Sequence, residues 1–499
     1  MNKRSAAIFI AMLTVISSII FVTGCSSEKE IVISKIVRVT GGEIEGAYTD
    51  ESQEILAYKG IPYAAPPIGE NRWRRPQPVE EWMGVKQCTE FGNSAWQGEQ
   101  NADATFTDEF IVSDKNYSED CLTLNVWTKN QTTKGARPVV VYIHGGAWVA
   151  GGSSCPVYSG ENISKRDIVF VSVNYRLGVF GWFGCKELAE EDEEGSTGNY
   201  GIMDLVKSLE WVRDNIQVFG GDKNNVTIMG QSAGADLVNA LMVSPKADGL
   251  FKNAFCSSFN SIGSGYAGTR KNTRLSSGLT LQSLRSLTAD EVVQTLGSLY
   301  LGECNDGVYL DMDYAKAIEE GRSKNVNLII GYVNSEESEK RGLLGDNLFA
   351  PVIEGLTFGE SLMGVANCVA KARANSGAEG RTYIYRFDHE MSGPNKQIIG
   401  AFHTSDIPYF LYNLLDYRKN YWEETDYKTA DAASEYLVNF LKTGNPNSKN
   451  SSLPMWIESK GDYNYIVLNS SPQTRKFSAD KIDSLWFGLA DLGYKQAWF

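Results

Sequence analysis

The sequence predicts an α/β fold, a mostly parallel central sheet with helices packed on both faces. Short apolar runs rich in β-branched and aromatic residues recur along the chain, a helical pattern falls between them, and two of them stop in glycine-rich turns. Strands buried on both faces read as such continuous runs rather than as polar/apolar alternation. In chain order they are Val139–Ile143, Ile168–Val173, Val226–Met229, Ala254–Cys256, Leu328–Ile330 and Tyr383–Phe387. Between the second and third, Leu205, Leu209, Val212, Ile216 and Phe219 recur at helical spacing, and Gly220-Gly221 follows as a stop. Alternation of strand and helix makes the sheet parallel and collects ligands at the carboxyl ends of its strands.

Composition narrows the function. With 42% hydrophobic residues and 22% charged, the 499-residue chain is globular in type. Its formal charge of −14 supplies no basic stripe for a row of phosphates, which disfavours nucleic acid as a partner. Length alone would allow about three domains, but neither an internal repeat nor a Pro/Ser-rich linker divides the chain.

The long apolar run from Ala6 to Val22 follows Lys3 and Arg4 and precedes Thr23-Gly24-Cys25. It reads as a signal peptide, with an uncleaved membrane helix as the alternative. Val22-Thr23-Gly24-Cys25, with Ser26 and Ser27 next, resembles the lipobox of bacterial lipoproteins. That resemblance implies a signal peptide over 1–24, lipidation at Cys25 and a tether over 25–36. A single domain over 37–499 would then sit in the bacterial cell envelope, held to a membrane by the lipid alone. Seven further cysteines, an odd number, show no CxxC pair and no Cys/His cluster. They are expected to be mostly buried thiols with room for one disulfide, and no metal or other cofactor is expected.

The chemistry begins after Val226–Met229, where Gly230-Gln231-Ser232-Ala233-Gly234 runs into Leu237, Val238, Leu241 and Met242 at helical spacing. This is G-x-S-x-G between a strand and a helix, a sharp turn that lifts Ser232 above the sheet at a helix N-terminus. Val139–Ile143 ends in His144-Gly145-Gly146-Ala147, an HGGG-type turn. The N–H groups of Gly146, Ala147 and Ala233 can then converge on one carbonyl oxygen as an oxyanion hole. A serine hydroxyl needs a base, and the chain has three histidines. His144 belongs to the oxyanion turn, where its side chain is expected to brace the loop. His389 is assigned to the surface or to a supporting position, and His403 is the expected base. Leu328–Ile330 runs into Gly331-Tyr332-Val333-Asn334-Ser335-Glu336-Glu337, which delivers a carboxylate at a strand end. Ser, acid, His is the chain order expected of α/β hydrolases.

With these motifs the chain resembles the type-B carboxylesterases, relatives of cholinesterases and bacterial para-nitrobenzyl esterases. The match includes Lys59-Gly60-Ile61-Pro62-Tyr63-Ala64, Ser118-Glu119-Asp120-Cys121-Leu122 and Asn174-Tyr175-Arg176-Leu177-Gly178. It continues through Gly198-Asn199-Tyr200-Gly201 with Asp204, then Thr443-Gly444-Asn445-Pro446-Asn447 and Leu453-Pro454-Met455-Trp456. The resemblance implies the α/β-hydrolase fold and ester hydrolysis without a cofactor. It assigns Ser232, Glu336 and His403 as triad and Gly146, Ala147 and Ala233 as oxyanion hole. Several positions depart from the pattern. Gln231 stands where cholinesterases have Glu, and the choline-facing Trp before Ser118 is missing, so small to medium uncharged esters are the expected substrates. Ala95 occupies the place of the family's first disulfide cysteine, which leaves Cys121 free or paired with Cys88, and Glu337 replaces a Gly. Two alternatives remain at this level: a non-catalytic adhesion protein on the same fold, or the same chemistry on thioesters, lactones or activated amides.

Overall fold

A computed structural model describes residues 30–101, 107–113, 115–259, 270–297, 302–336, 358–393, 396, 400–415 and 418–477. Its centre is an eleven-stranded sheet. In chain order the strands are β1 (Ala47–Tyr48), β2 (Ile55–Pro62), β3 (Thr123–Lys129), β4 (Arg137–Ile143), β5 (Val169–Val173), β6 (Gly221–Gln231), β7 (Asn253–Ser257), β8 (Asn327–Val333), β9 (Thr382–Phe387), β10 (Asn464–Leu468) and β11 (Gln473–Lys476). Across the sheet they lie in the order β11-β10-β9-β8-β7-β6-β4-β5-β3-β2-β1. From β5 to β10 all neighbours are parallel. Antiparallel strands close both edges. All six predicted strands are present, each extended by one to several residues or, for Ile168–Val173, starting one residue later.

Side chains on the parallel strands alternate between two cores. Val139, Val141, Val171, Ile228 and Ile330 face one side, and Val140, Tyr142, Phe170, Met229 and Ile329 the other. The first core is covered by helices Tyr200–Asn215, Ala233–Val243 and Phe358–Asn375, the second by Glu424–Thr443. The predicted helix through Leu205 and Leu209 is the first of these. It tightens into a 3-10 turn at Ile216–Phe219 and stops at Gly220, whose φ of 82° is left-handed. The guanidinium of Arg176 is buried and bidentate with Asp204 on the same helix, at 2.8 and 2.6 Å. An ion pair so placed resists removal of either partner, because the other would remain a buried charge.

The strand order places the site. The chain runs from β4 to β5 on one side and then crosses to β6 on the other side of β4. This is a topological switch point, where the connections leave in opposite directions and open a crevice at the carboxyl ends. Ile143 pairs with Gly230, so the turns after β4 and β6 begin side by side.

All seven described cysteines are thiols outside any disulfide, six of them buried. Cys88 and Cys121 are therefore thiols here, the unpaired one of the two expectations for Cys121. Burial pushes the Cys88 thiol up to about 11, which keeps it protonated and inert. Cys25 and Glu337 lie outside the described residues. No described helix is long and apolar enough to cross a membrane.

Candidate active site

At the end of β6 the backbone turns sharply through Ser232, with φ 56° and ψ −132°, and helix Ala233–Val243 starts at the next residue. A positive φ in a residue with a Cβ is strained and persists only where its surroundings impose it. Here the Ser232 N–H donates to the Ser257 carbonyl at 2.9 Å. A Cβ on Gly234 would stand 2.2 Å from the Ile143 carbonyl oxygen, so only glycine lets the helix start against β4.

The turn after β4 is also strained. Gly146 has φ 114°, and Ala147 and Trp148 have φ 52° and 62°. The Gly146 carbonyl accepts from Val149 and Ala150, and the Trp148 carbonyl from Gly178. Among the described residues, the N–H groups of Gly146, Ala147 and Ala233 have no hydrogen-bond partner. All three predicted oxyanion donors are thus uncommitted at adjacent strand ends.

The three histidines have separate environments. His144 is buried and stacked on Tyr175, with ring centroids 4.5 Å apart, and burial pushes its imidazole down to about 4. It is neutral at pH 7 and braces the turn, as expected. His389 is buried rather than at the surface, its Nε2 2.8 Å from Asp426 Oδ1, because the start of helix Glu424–Thr443 packs over it. Asp426 lies on the buried face of that helix, in a first turn that is otherwise polar, and nothing local marks it as a partner. His403 remains, with Nδ1 2.5 Å from Glu336 Oε2 and its side chain about one quarter exposed.

Glu336 is buried at the end of β8, and its Oε1 accepts from the Val333 N–H at 2.9 Å. The Ser335 N–H donates to the Ala401 carbonyl at 3.0 Å, which ties the loop of Glu336 to that of His403. Gln231 Nε2 lies 3.0 Å from the other ring nitrogen of His403.

Besides Asp426, buried carboxyls next to the site's turns escaped the sequence reading, Asp406 and Glu303 among them. Asp406 begins the short helix Ile407–Phe410, and its Oδ2 accepts the hydroxyls of Tyr385 at 2.6 Å and Ser257 at 2.7 Å. Burial pushes it up to about 6, although those hydroxyls and His403 pull it down. Glu303 accepts the Trp148 indole N–H at 3.3 Å, and burial, with the charge of Asp236, pushes it up to about 8. Asp406 sits three residues beyond His403 and could have been flagged by proximity. Glu303 carries no local signal.

The switch-point crevice, the strained serine turn at β6 and the facing glycine turn at β4 define an α/β-hydrolase fold. A solved structure of PNB esterase superimposes with a TM-score of 0.72 and 25% identity, over 90% of this chain and 99% of that one. The Carboxylesterase family model matches residues 33–348 and 357–486. Para-nitrobenzyl esterase of Bacillus subtilis is 28% identical over 89% of this chain and 97% of its own. Carboxylesterase 1D of Rattus norvegicus is 29% identical over 91% and 93%. Fumonisin B1 esterase of Sphingopyxis macrogoltabida is 36% identical over a shorter stretch, 45% of this chain and 40% of its own. The chain belongs to the carboxylesterase family and is a carboxylesterase.

Proposed function

We propose that the enzyme hydrolyses small to medium uncharged esters through Ser232, His403 and Glu336 and an acyl-enzyme intermediate. The observation that carries this reading is the 2.5 Å contact between His403 Nδ1 and the buried Glu336 carboxylate, in a loop tied to the strand ends around Ser232. A carboxylate only accepts, so Nδ1 carries the ring proton and Nε2 keeps the lone pair a base needs. His403 takes the Ser232 proton as the oxygen attacks the ester carbonyl. The developing oxyanion is met by the N–H groups of Gly146, Ala147 and Ala233, and the positive end of the helix behind Ser232 adds to their pull. His403 then protonates the leaving alcohol, and water repeats both steps on the acyl group. Glu336 keeps the ring in its tautomer and stabilises its positive form.

Gln231 beside the imidazole supplies no charge for a quaternary ammonium, which supports neutral substrates. The lipobox-like sequence at Cys25 supports a lipid anchor that holds this domain at a bacterial envelope membrane.

The test is covalent labelling. An organophosphate or sulfonyl fluoride should modify Ser232 stoichiometrically, and Ser232→Ala should stay folded and lose nearly all turnover. An adduct mapped to another serine by mass spectrometry would overturn the assignment.

A further inference from the structure

We propose that the first described segment of the domain, residues 30–40, forms the face that rests on the bilayer, so that the catalytic crevice opens away from the membrane and takes esters dissolved in water rather than acyl esters of the bilayer. The inference rests on the lipid anchor at Cys25 and on Ser232 as nucleophile.

Residues 30–40 lie as a strap across the starting ends of two central strands. Glu30 and Ile31 pair with Lys134 and Thr133, just ahead of β4. Ile33 is buried, its Cδ1 2.9 Å from where a Cβ on Gly220 would be, and Gly220 is the residue before β6. The Thr40 N–H donates to Asn215 Oδ1 at 2.8 Å, at the last residue of helix Tyr200–Asn215. β4 and β6 run in parallel from this end to the other, where Ile143 and Gly230 lead into the oxyanion turn and the Ser232 turn. β4, residues 137–143, rises about 3.3 Å per residue, so its two ends are about 20 Å apart.

Cys25 stands five residues before Glu30, and five residues fully extended span at most about 18 Å. A domain inverted with its crevice on the bilayer would need that link to climb the full length of β4 and the turns beyond it. The link is too short. The surface at the strap end also suits a bilayer. Val32 and Ile36 are exposed, as is Val218 in the 3-10 turn Ile216–Phe219, which packs against strand Ile36–Val39. That strand belongs to a small sheet with Gly42–Glu45 and Val85–Gln87, where Val85 and the preceding Met83 are exposed too. Five of the ten large apolar side chains exposed among the described residues therefore gather where the anchor arrives. Apolar side chains held beside an inserted lipid lose their contact with water when the domain settles on the headgroups.

The experiment puts the lipidated wild type on a supported bilayer holding an umbelliferyl ester whose acyl part is joined to a phospholipid by a linker. The linker reaches either less than about 20 Å or more than twice that. Wild type and Cys25→Ser should hydrolyse the free ester alike. The anchored enzyme should cut the short-linker ester at least about tenfold more slowly than the long-linker ester, even though confinement to one surface raises its effective concentration. Cys25→Ser, which approaches in any orientation, should show no such preference. An anchored enzyme that cuts both tethered esters alike would overturn the proposal. A second reading needs no ester at the membrane. In a Cys368→Ser background, a fluorophore on Val218→Cys should be quenched by lipids carrying a headgroup nitroxide, and one on Glu390→Cys, beyond the carboxyl end of β9, should not. Equal quenching at the two positions, or the reverse order, overturns the orientation whatever the esters show. Wild type that washes off the bilayer, or Cys25→Ser that stays on it, fails the anchor itself, and the proposal with it.

Discussion

Replacing Glu336 by Gln should cost more than the loss of one hydrogen bond, because the surroundings dictate how the amide must sit. Oε1 of Glu336 accepts from the Val333 N–H at 2.9 Å, and Oε2 lies 2.5 Å from His403 Nδ1. In Glu336→Gln the carbonyl end must keep the Val333 contact, since the NH2 end there would oppose another donor in a buried place. That leaves the NH2 facing Nδ1. Nδ1 must then give up its proton and accept, and the ring proton moves to Nε2, where it blocks the abstraction of the Ser232 proton. The wrong tautomer, with no negative charge to balance the imidazolium, lowers kcat by about four orders of magnitude in triads of this kind, or about 5 kcal/mol. Turnover of an activated ester by the purified variant, alongside its circular dichroism spectrum, measures this directly. Glu337→Gln should change kcat by less than about fivefold, under ~1 kcal/mol. A folded Glu336→Gln enzyme that keeps a tenth or more of wild-type kcat would refute the reasoning, and the reverse ranking of the two variants would move the acid by one residue.

Three further outcomes are expected. A choline ester should not exceed its neutral isostere in kcat/KM by as much as tenfold, about 1.4 kcal/mol, since Gln231 offers no carboxylate; a larger ratio would show a cation site. Cys25→Ser should shift the enzyme from the membrane to the soluble fraction with unchanged turnover, and a variant still membrane-bound after a high-salt wash would favour an uncleaved helix. Burial raises the Asp406 carboxyl from 3.8 to about 6, so the folded state holds that proton more tightly than the unfolded chain. Its contribution to stability is present below about pH 4 and lost as pH rises through about 6, about 3 kcal/mol in all. Asp406→Asn should therefore raise Tm relative to wild type more at pH 8 than at pH 4 by calorimetry, and an equal change at both would refute the shift.

The sequence by itself determined the parts whose physics is local. Apolar runs such as Val139–Ile143 can satisfy themselves only as strands buried on both faces, and Gly230 is dictated within five residues by the close approach of the Gly234 carbonyl, whereas Gly234 is dictated by the carbonyl of Ile143 on the neighbouring strand. The strained turn at Ser232 and the glycine turn after β4 were legible for that reason. A carboxylate at a strand end was legible too, and family spacing pointed to Glu336, the one found against His403. What only the tertiary structure decided are pairings across long stretches of chain. His403 meets a carboxylate 67 residues away and an amide 172 residues away. Asp406 is pushed up by burial between two strands, whose Ser257 and Tyr385 hydroxyls converge on it and pull the other way. His389 is buried because a later helix packs Asp426 onto it. Residue type sets what a side chain can do, but strand order sets which partner arrives, and the partner, through burial and the hydrogen bonds it offers, sets the protonation state on which the chemistry depends.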